Sequence, residues 1–195
     1  MKPQNRLPRI RSGSILPDGA GRLLLLWIGL ACGILTGAAQ TPTLREYELK
    51  AGVLYNIIKY VEWPADSPVG SSDTLEIGLL GNIPFPEALD VLDGKMVQGR
   101  KLVVRRVNSI AEAAQCRVLY VGASEKVQLA QITEAFKDRP VLTVGEMEGF
   151  AQRGGMVNLV NGPNRIVMEI NREAATQSRI EFSSQLLKLA RLVAR

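Results

Sequence analysis

Few side chains in this chain could make or break bonds. Among its 195 residues there is no histidine, so the commonest general base and metal ligand is missing. Glu146 and Glu148 bracket Met147, and Asp90 and Asp93 stand three apart. Acid–base chemistry needs two carboxylates of separated pKa in one cleft. The sequence offers no such pairing, and both pairs read as solvated surface. Ser124, Ser183 and Ser184 have no base to activate them and read as helix caps. GLLGN (Gly78 to Asn82) follows an apolar run where a phosphate loop would sit. It lacks both the G-x-G-x-x-G spacing and the G-K-S/T ending, so its glycines are expected to free a tight strand exit. The Gly154-Gly155 pair is expected to free a turn in the same way. No catalytic residue, no cofactor and no metal site is predicted.

Trp63 is the side chain with the most to offer in recognition. It ends YELKAGVLYNIIKYVEWP, Tyr47 to Pro64. Its ring can close the end of a core with the indole N–H at the rim, or it can anchor a partner or an aromatic ligand.

The elements that must position these residues follow from periodicity. Thr43 with Glu46 has the spacing of a capping box. Leu44, Tyr47, Ala51, Leu54, Ile58 and Val61 then recur every three or four residues, which predicts a helix over about 44–62 ended by Pro64. Glu46 and Lys50 form an i,i+4 pair, expected on another side of the helix from the apolar face. A polar break, DSPVGSSD, precedes an apolar strand at 74–81. A short helix at 84–92 and a long strand at 100–107 come next. Ser109 with Glu112 marks another capping box, for a helix at 110–115. A strand at 117–121, a helix opened by Ser124 and running to Phe136, and a strand at 141–144 complete the middle. GGMVNLV and RIVMEI flank Asn161-Gly162-Pro163-Asn164, a hairpin signature. Asn171 is placed to cap a helix to about 177. Ile180-Glu181-Phe182 alternates like a strand, and QLLKLARLVAR (Gln185 to Arg195) reads as a last amphipathic helix. Alternating strands and helices with a closing hairpin predict a layered single α/β domain, a mixed sheet covered by helices.

The first 39 residues differ in kind. Lys2, Arg6, Arg9, Arg11 and Arg22 face one acid, Asp18. Leu23 to Leu35 is uncharged and apolar, and Thr36-Gly37-Ala38-Ala39 is small. Basic, greasy, small is the order of an export signal, with cleavage expected near Ala39. The apolar run is shorter than the roughly 20 residues of a bilayer span. Gly29 stands before Cys32 where a lipoprotein signal carries an aliphatic residue, so cleavage rather than lipidation is expected. Residues 40–195 then form the domain. They keep 19 bases and 18 acids, a balance that does not ask for nucleic acid as a partner. Their only cysteine, Cys116, cannot form an internal disulfide and is expected to be buried before its strand.

Several ordered blocks resemble the YfiR family of exported bacterial proteins. YELKAGVLYNIIKYVEWP is similar to the family's opening. IGLLGNIPF, GKMVQGRKLVVRRV, CRVLYVGASE, RPVLTVGEMEGFAQRGGMVNLV and NRIVMEINREAATQSRIEFSSQLLKLARLV follow in the family's order, from about Glu46 to Val193. The resemblance implies a periplasmic α/β domain without enzyme activity. It further implies a homodimer that binds the periplasmic domain of an inner-membrane signalling protein. In the characterised member that partner is a diguanylate cyclase, held repressed until an outer-membrane lipoprotein takes the repressor away. That member uses internal disulfides, which this chain cannot form. Candidate contacts to a partner or ligand are Trp63, Glu169, Asn171, Ile180 and Phe182. A different reading is a small-ligand sensor or carrier serving a sensor kinase or uptake system, with Gly81-Asn82 at a strand end as the binding place.

Overall fold

The computed structural model describes residues 41–65, 73–162 and 165–194. The expected leader with Cys32, the middle of the polar break, and Pro163 and Asn164 of the hairpin turn lie outside those residues.

Helix α1 spans Leu44–Lys59, and the Thr43 hydroxyl accepts the Glu46 N–H at 3.3 Å. Its buried residues, Tyr47, Lys50, Ala51, Leu54, Ile57 and Ile58, fall on one face. The helix stops earlier than its pattern predicts, because Val61–Glu62 becomes strand β1. The cause is a distant residue. Gln98 donates through Nε2 to the carbonyls of Ile58, Lys59 and Val61 at 3.2, 3.2 and 2.8 Å. It thereby takes up acceptors that a helix end leaves unpaired. Gln98 sits in the turn between β3 (Met96–Val97) and β4 (Arg100–Val107), at φ 49°.

The main sheet has eight strands in the order β10-β8-β7-β6-β5-β2-β4-β3. Here β2 is Thr74–Leu80, β5 Val118–Val121, β6 Leu142–Gly145, β7 Val157–Asn161, β8 Ile166–Ile170 and β10 Arg191–Leu192. Strands β2, β4, β5, β6 and β7 run parallel, in the doubly wound order 2-1-3-4-5. Strand β8 folds back antiparallel on β7 as the expected hairpin. The mixed, layered α/β domain read from the sequence is the observed architecture.

Both faces of the sheet are covered, so β5 and β6 are buried at every position. On one face Ile77, Leu79, Val118, Tyr120, Leu142, Val144 and Val157 pack with α1. On the other, Leu80, Val107, Leu119 and Val121 pack with Leu129, Ile132 and Phe136 of α4, which is Leu129–Phe136. The short helices α2 (Pro86–Asp90) and α3 (Ile110–Ala113) fill connections. The Ser109 cap forms, accepting the Glu112 N–H at 3.2 Å, while the Glu112 carboxylate accepts the Asn108 N–H at 2.9 Å. Cys116 is buried as expected.

Three expectations are corrected. Ser124 does not open a long helix. It lies in a tight 3-10 turn, Ala123–Val127, and its hydroxyl accepts the Asn82 N–H at 2.8 Å. The last helix, α6, covers only Ser184–Leu189; Ala190 turns extended and Arg191–Leu192 joins β8 in parallel. The hairpin therefore does not close the sheet, since β10 lies outside it. Gly154-Gly155 does more than free a turn. The Phe150 ring lies so close to Gly145 and Gly155 that added Cβ atoms would come within 2.4 and 2.1 Å of it.

Candidate functional site

Two polar constellations share one cleft of about 500 Å³ beyond the end of β6 and beside β7 and β8. The first is built on Glu146, the residue after β6. Its side chain is 2% exposed, so the expectation of solvated surface is wrong for it. Helix α1 brings up Tyr47 and Lys50, and β5 brings up Tyr120. Tyr47 Oη donates to Oε1 at 2.8 Å. Lys50 Nζ and Tyr120 Oη donate to Oε2 at 2.8 and 2.7 Å. Lys50 also pairs with Glu46 and lies over the Tyr47 ring. Burial, reinforced by the adjacent Glu146 charge, raises both tyrosine hydroxyls far above the ordinary tyrosine range. Burial opposes ionisation of Glu46, but hydrogen bonds from Lys50 and Asn161 outweigh it and lower that carboxyl. With three donors on two oxygens, Glu146 is an anchor that ties α1 to the sheet. Those donors take three of the roughly four acceptor sites of the carboxylate.

The second constellation is a row across the sheet. Register puts Gly145, Asn158, Glu169 and Arg191 side by side on β6, β7, β8 and β10. Asn158 is fully buried and donates through Nδ2 to Glu169 Oε2 at 3.0 Å. Arg191, whose side chain is 61% exposed, donates to Glu169 Oε1 from the rim. The Asn158 carbonyl oxygen Oδ1 is enclosed and has no partner among the described residues. Such an acceptor costs about 1–3 kcal/mol when left unmade.

The five residues singled out from the sequence do not form one site. Trp63 is half-buried against the core. The guanidinium of the buried Arg117 lies 5.8 Å from its ring centroid, and a cavity of about 100 Å³ opens beside them. Burial, with Arg100 nearby, lowers the Arg117 pKa. Phe182 lies on β9 (Glu181–Phe182), which pairs antiparallel with β1 in a ribbon outside the main sheet. The ribbon sets the segment carrying Trp63 beside the one carrying Ile180 and Phe182. Ile180 itself is in the core at 1% exposure. Asn171 is buried too: it caps α5 (Arg172–Gln177) by accepting the Ala174 N–H at 3.0 Å, and it donates to the Ala151 carbonyl at 2.8 Å. Glu169 lies in the cleft.

Glu146, Tyr120, Asn158 and Arg191 were not recognisable as a set, because register and a loop bring them together. One signal was readable. Lys50 stands three residues from Tyr47 and four from Leu54, on the apolar face of α1. A lysine there implies a buried acid. Gly81-Asn82 does lie at the topological switch between β2 and β5. It is filled by the protein itself, since a Cβ at Gly81 would approach Ser124 Oγ to 2.5 Å. Among the described residues no group of three metal-ligating side chains occurs, and no helix is long and apolar enough to cross a membrane.

A family model described as YfiR/HmsC-like matches residues 47–191. Among solved structures, a conserved domain protein from Vibrio cholerae O1 biovar El Tor strain N16961 superposes with a TM-score of 0.54 at 16% identity, over 76% of this chain and 60% of that one. The chain thus spans about three fifths of that protein's length, and the likeness is one of fold. A Streptococcus pneumonia ABC domain in complex with L-Trp aligns more loosely, with a TM-score of 0.45 at 12% identity over 61% of this chain and 55% of that one.

Proposed function

The chain belongs to the YfiR/HmsC-like family, and from that premise we propose that it is a periplasmic, non-enzymatic regulator. It binds the periplasmic sensor domain of an inner-membrane diguanylate cyclase and holds the cyclase in its low-output state. The observation that carries this reading is the family match across residues 47–191. The buried polar groups are consistent with it, because Glu146, an enclosed carboxylate with titratable neighbours, is held by three donors as a structural anchor. The export-like leader supports a periplasmic location. The half-buried rings on the β1–β9 ribbon, Trp63 and Phe182, are the surface we assign to the partner. Ile180, buried beside Phe182 in the chain, supports that surface from within.

Repression by binding is a population shift. The regulator must prefer the inactive partner conformation, and moving an equilibrium from one extreme to the other takes about 10⁴-fold preference. Cross-linking in intact cells, followed by purification of the tagged protein from membranes, tests the reading. A cyclase with a periplasmic domain should be recovered with the wild type and lost with the double variant Trp63→Ala, Phe182→Ala. Recovery of the same cyclase with both would move the interface elsewhere. Absence of any membrane signalling protein would overturn the reading.

A further inference from the structure

The Trp63 corner belongs to the regulatory surface already, and nothing among the described residues covers the exposed side chains of Leu189 and Leu192. The cleft beside β7 and β8 carries more. From its geometry we infer that it is a binding site for a small organic amine, whose ammonium group replaces Arg191 on Glu169 and donates to Asn158. This inference does not rest on the regulatory reading.

Size comes first: about 500 Å³ lies within the usual range for small-molecule sites. Charge comes next. Glu146, Glu148 and Glu169 line the cleft against Lys50 and Arg191, and Lys50 is already held between Glu46 and Glu146. An anion would meet an excess of carboxylates. The unmet demand is also for a donor, because the enclosed atom without a partner is the acceptor Asn158 Oδ1. Flipping that amide would not relieve it, since the oxygen would then face the Glu169 carboxylate that now accepts from Nδ2 at 3.0 Å. Val160, on the Asn158 face of β7, and Met147 supply apolar surface for the carbon body of the amine.

Arg191 is the internal competitor. It reaches Glu169 from an edge strand of two residues, with its side chain 61% exposed. Among the described residues that strand also pairs with β8, with the Val193 N–H donating to the Ile170 carbonyl at 2.9 Å. An arriving ammonium exchanges one cation for another on Glu169 and releases Arg191, so binding loosens β10.

Calorimetry with n-butylamine and agmatine on the purified protein, at low and at moderate salt, provides the test. Saturable binding that weakens with salt is expected for the wild type. Arg191→Ala should bind tighter, on the order of tenfold, because the competitor is gone. Glu169→Gln should bind more weakly, and Asn158→Leu should lose binding; should Asn158→Leu fail to fold, Glu169→Gln still decides. Hydrogen exchange at the Val193 amide should speed up when amine is added. Failure of both amines to bind either the wild type or Arg191→Ala would overturn the inference. So would unchanged affinity in Arg191→Ala, or equal binding of butyrate.

Discussion

Glu146 and Glu169 are two carboxylates in one cleft, and their surroundings make them opposites. Glu146 receives three donors from two secondary-structure elements, all from groups deep in the fold. Glu169 receives one buried amide, which keeps an unpaired oxygen, and one arginine reaching in from solvent. A fully satisfied network in low dielectric fixes geometry. A partly satisfied one with an exposed member leaves a partner that can be exchanged. The first belongs to the scaffold and the second to whatever the scaffold binds.

The widest gap should come from deleting the anchor. Glu146→Leu leaves Lys50 with Glu46 as its remaining partner and takes the shared acceptor from two buried tyrosine hydroxyls, a loss of about 3–5 kcal/mol, as for a broken buried pair. Urea denaturation should show the unfolding free energy falling by that much, with the midpoint lowered in proportion. Next are the tyrosines. Tyr47→Phe and Tyr120→Phe each remove one hydrogen bond to a charged group, about 1.5–3 kcal/mol. Lys50→Met combined with Tyr47→Phe should be non-additive, because both donate to one carboxylate.

The same knot sets an alkaline limit. Both tyrosine pKa values are raised in the folded protein above the ordinary 10.0. The unfolded chain therefore loses its phenolic protons first. Stability is fully present below about pH 10 and falls as pH climbs further. Measured in a Tyr55→Phe, Tyr60→Phe background that leaves only Tyr47 and Tyr120, absorbance at the tyrosinate band should rise together with unfolding, and Tyr120→Phe should flatten that fall. A tyrosinate signal that appears with the fold intact would mean the knot is open to water. The smallest effect belongs to the other carboxylate: Arg191→Ala should cost about 1 kcal/mol, because the arginine side chain is 61% exposed although its partner Glu169 is 4% exposed. A loss as large as that of Glu146→Leu would erase the distinction between the two.

Local chemistry was legible and pairing at a distance was not. The Thr43, Ser109, Asn171 and Ser183 caps follow from side chains that reach only three residues along the chain. The β7–β8 hairpin and the buried runs of β2, β5 and β6 follow from period and turn residues. The end of α1 was missed because Gln98, some forty residues on, takes its last carbonyls. The final helix was overextended because its pattern is amphipathic, while Arg191 and Val193 find better partners on β8. Glu146 reads as surface beside Glu148, since adjacent positions say nothing about which one turns inward. The Asn158–Glu169–Arg191 row depends on register across separate strands. Of the five candidate contacts, Trp63 and Phe182 come together through the ribbon, which no local pattern announces.

The central claim is repression of a cyclase by a binding protein, and cyclic di-GMP content tests it most directly. Mass spectrometry of cells with the gene deleted, and of cells with it restored, should show the nucleotide rising on deletion and returning on restoration. Equal levels in the deleted and restored cells would contradict the account.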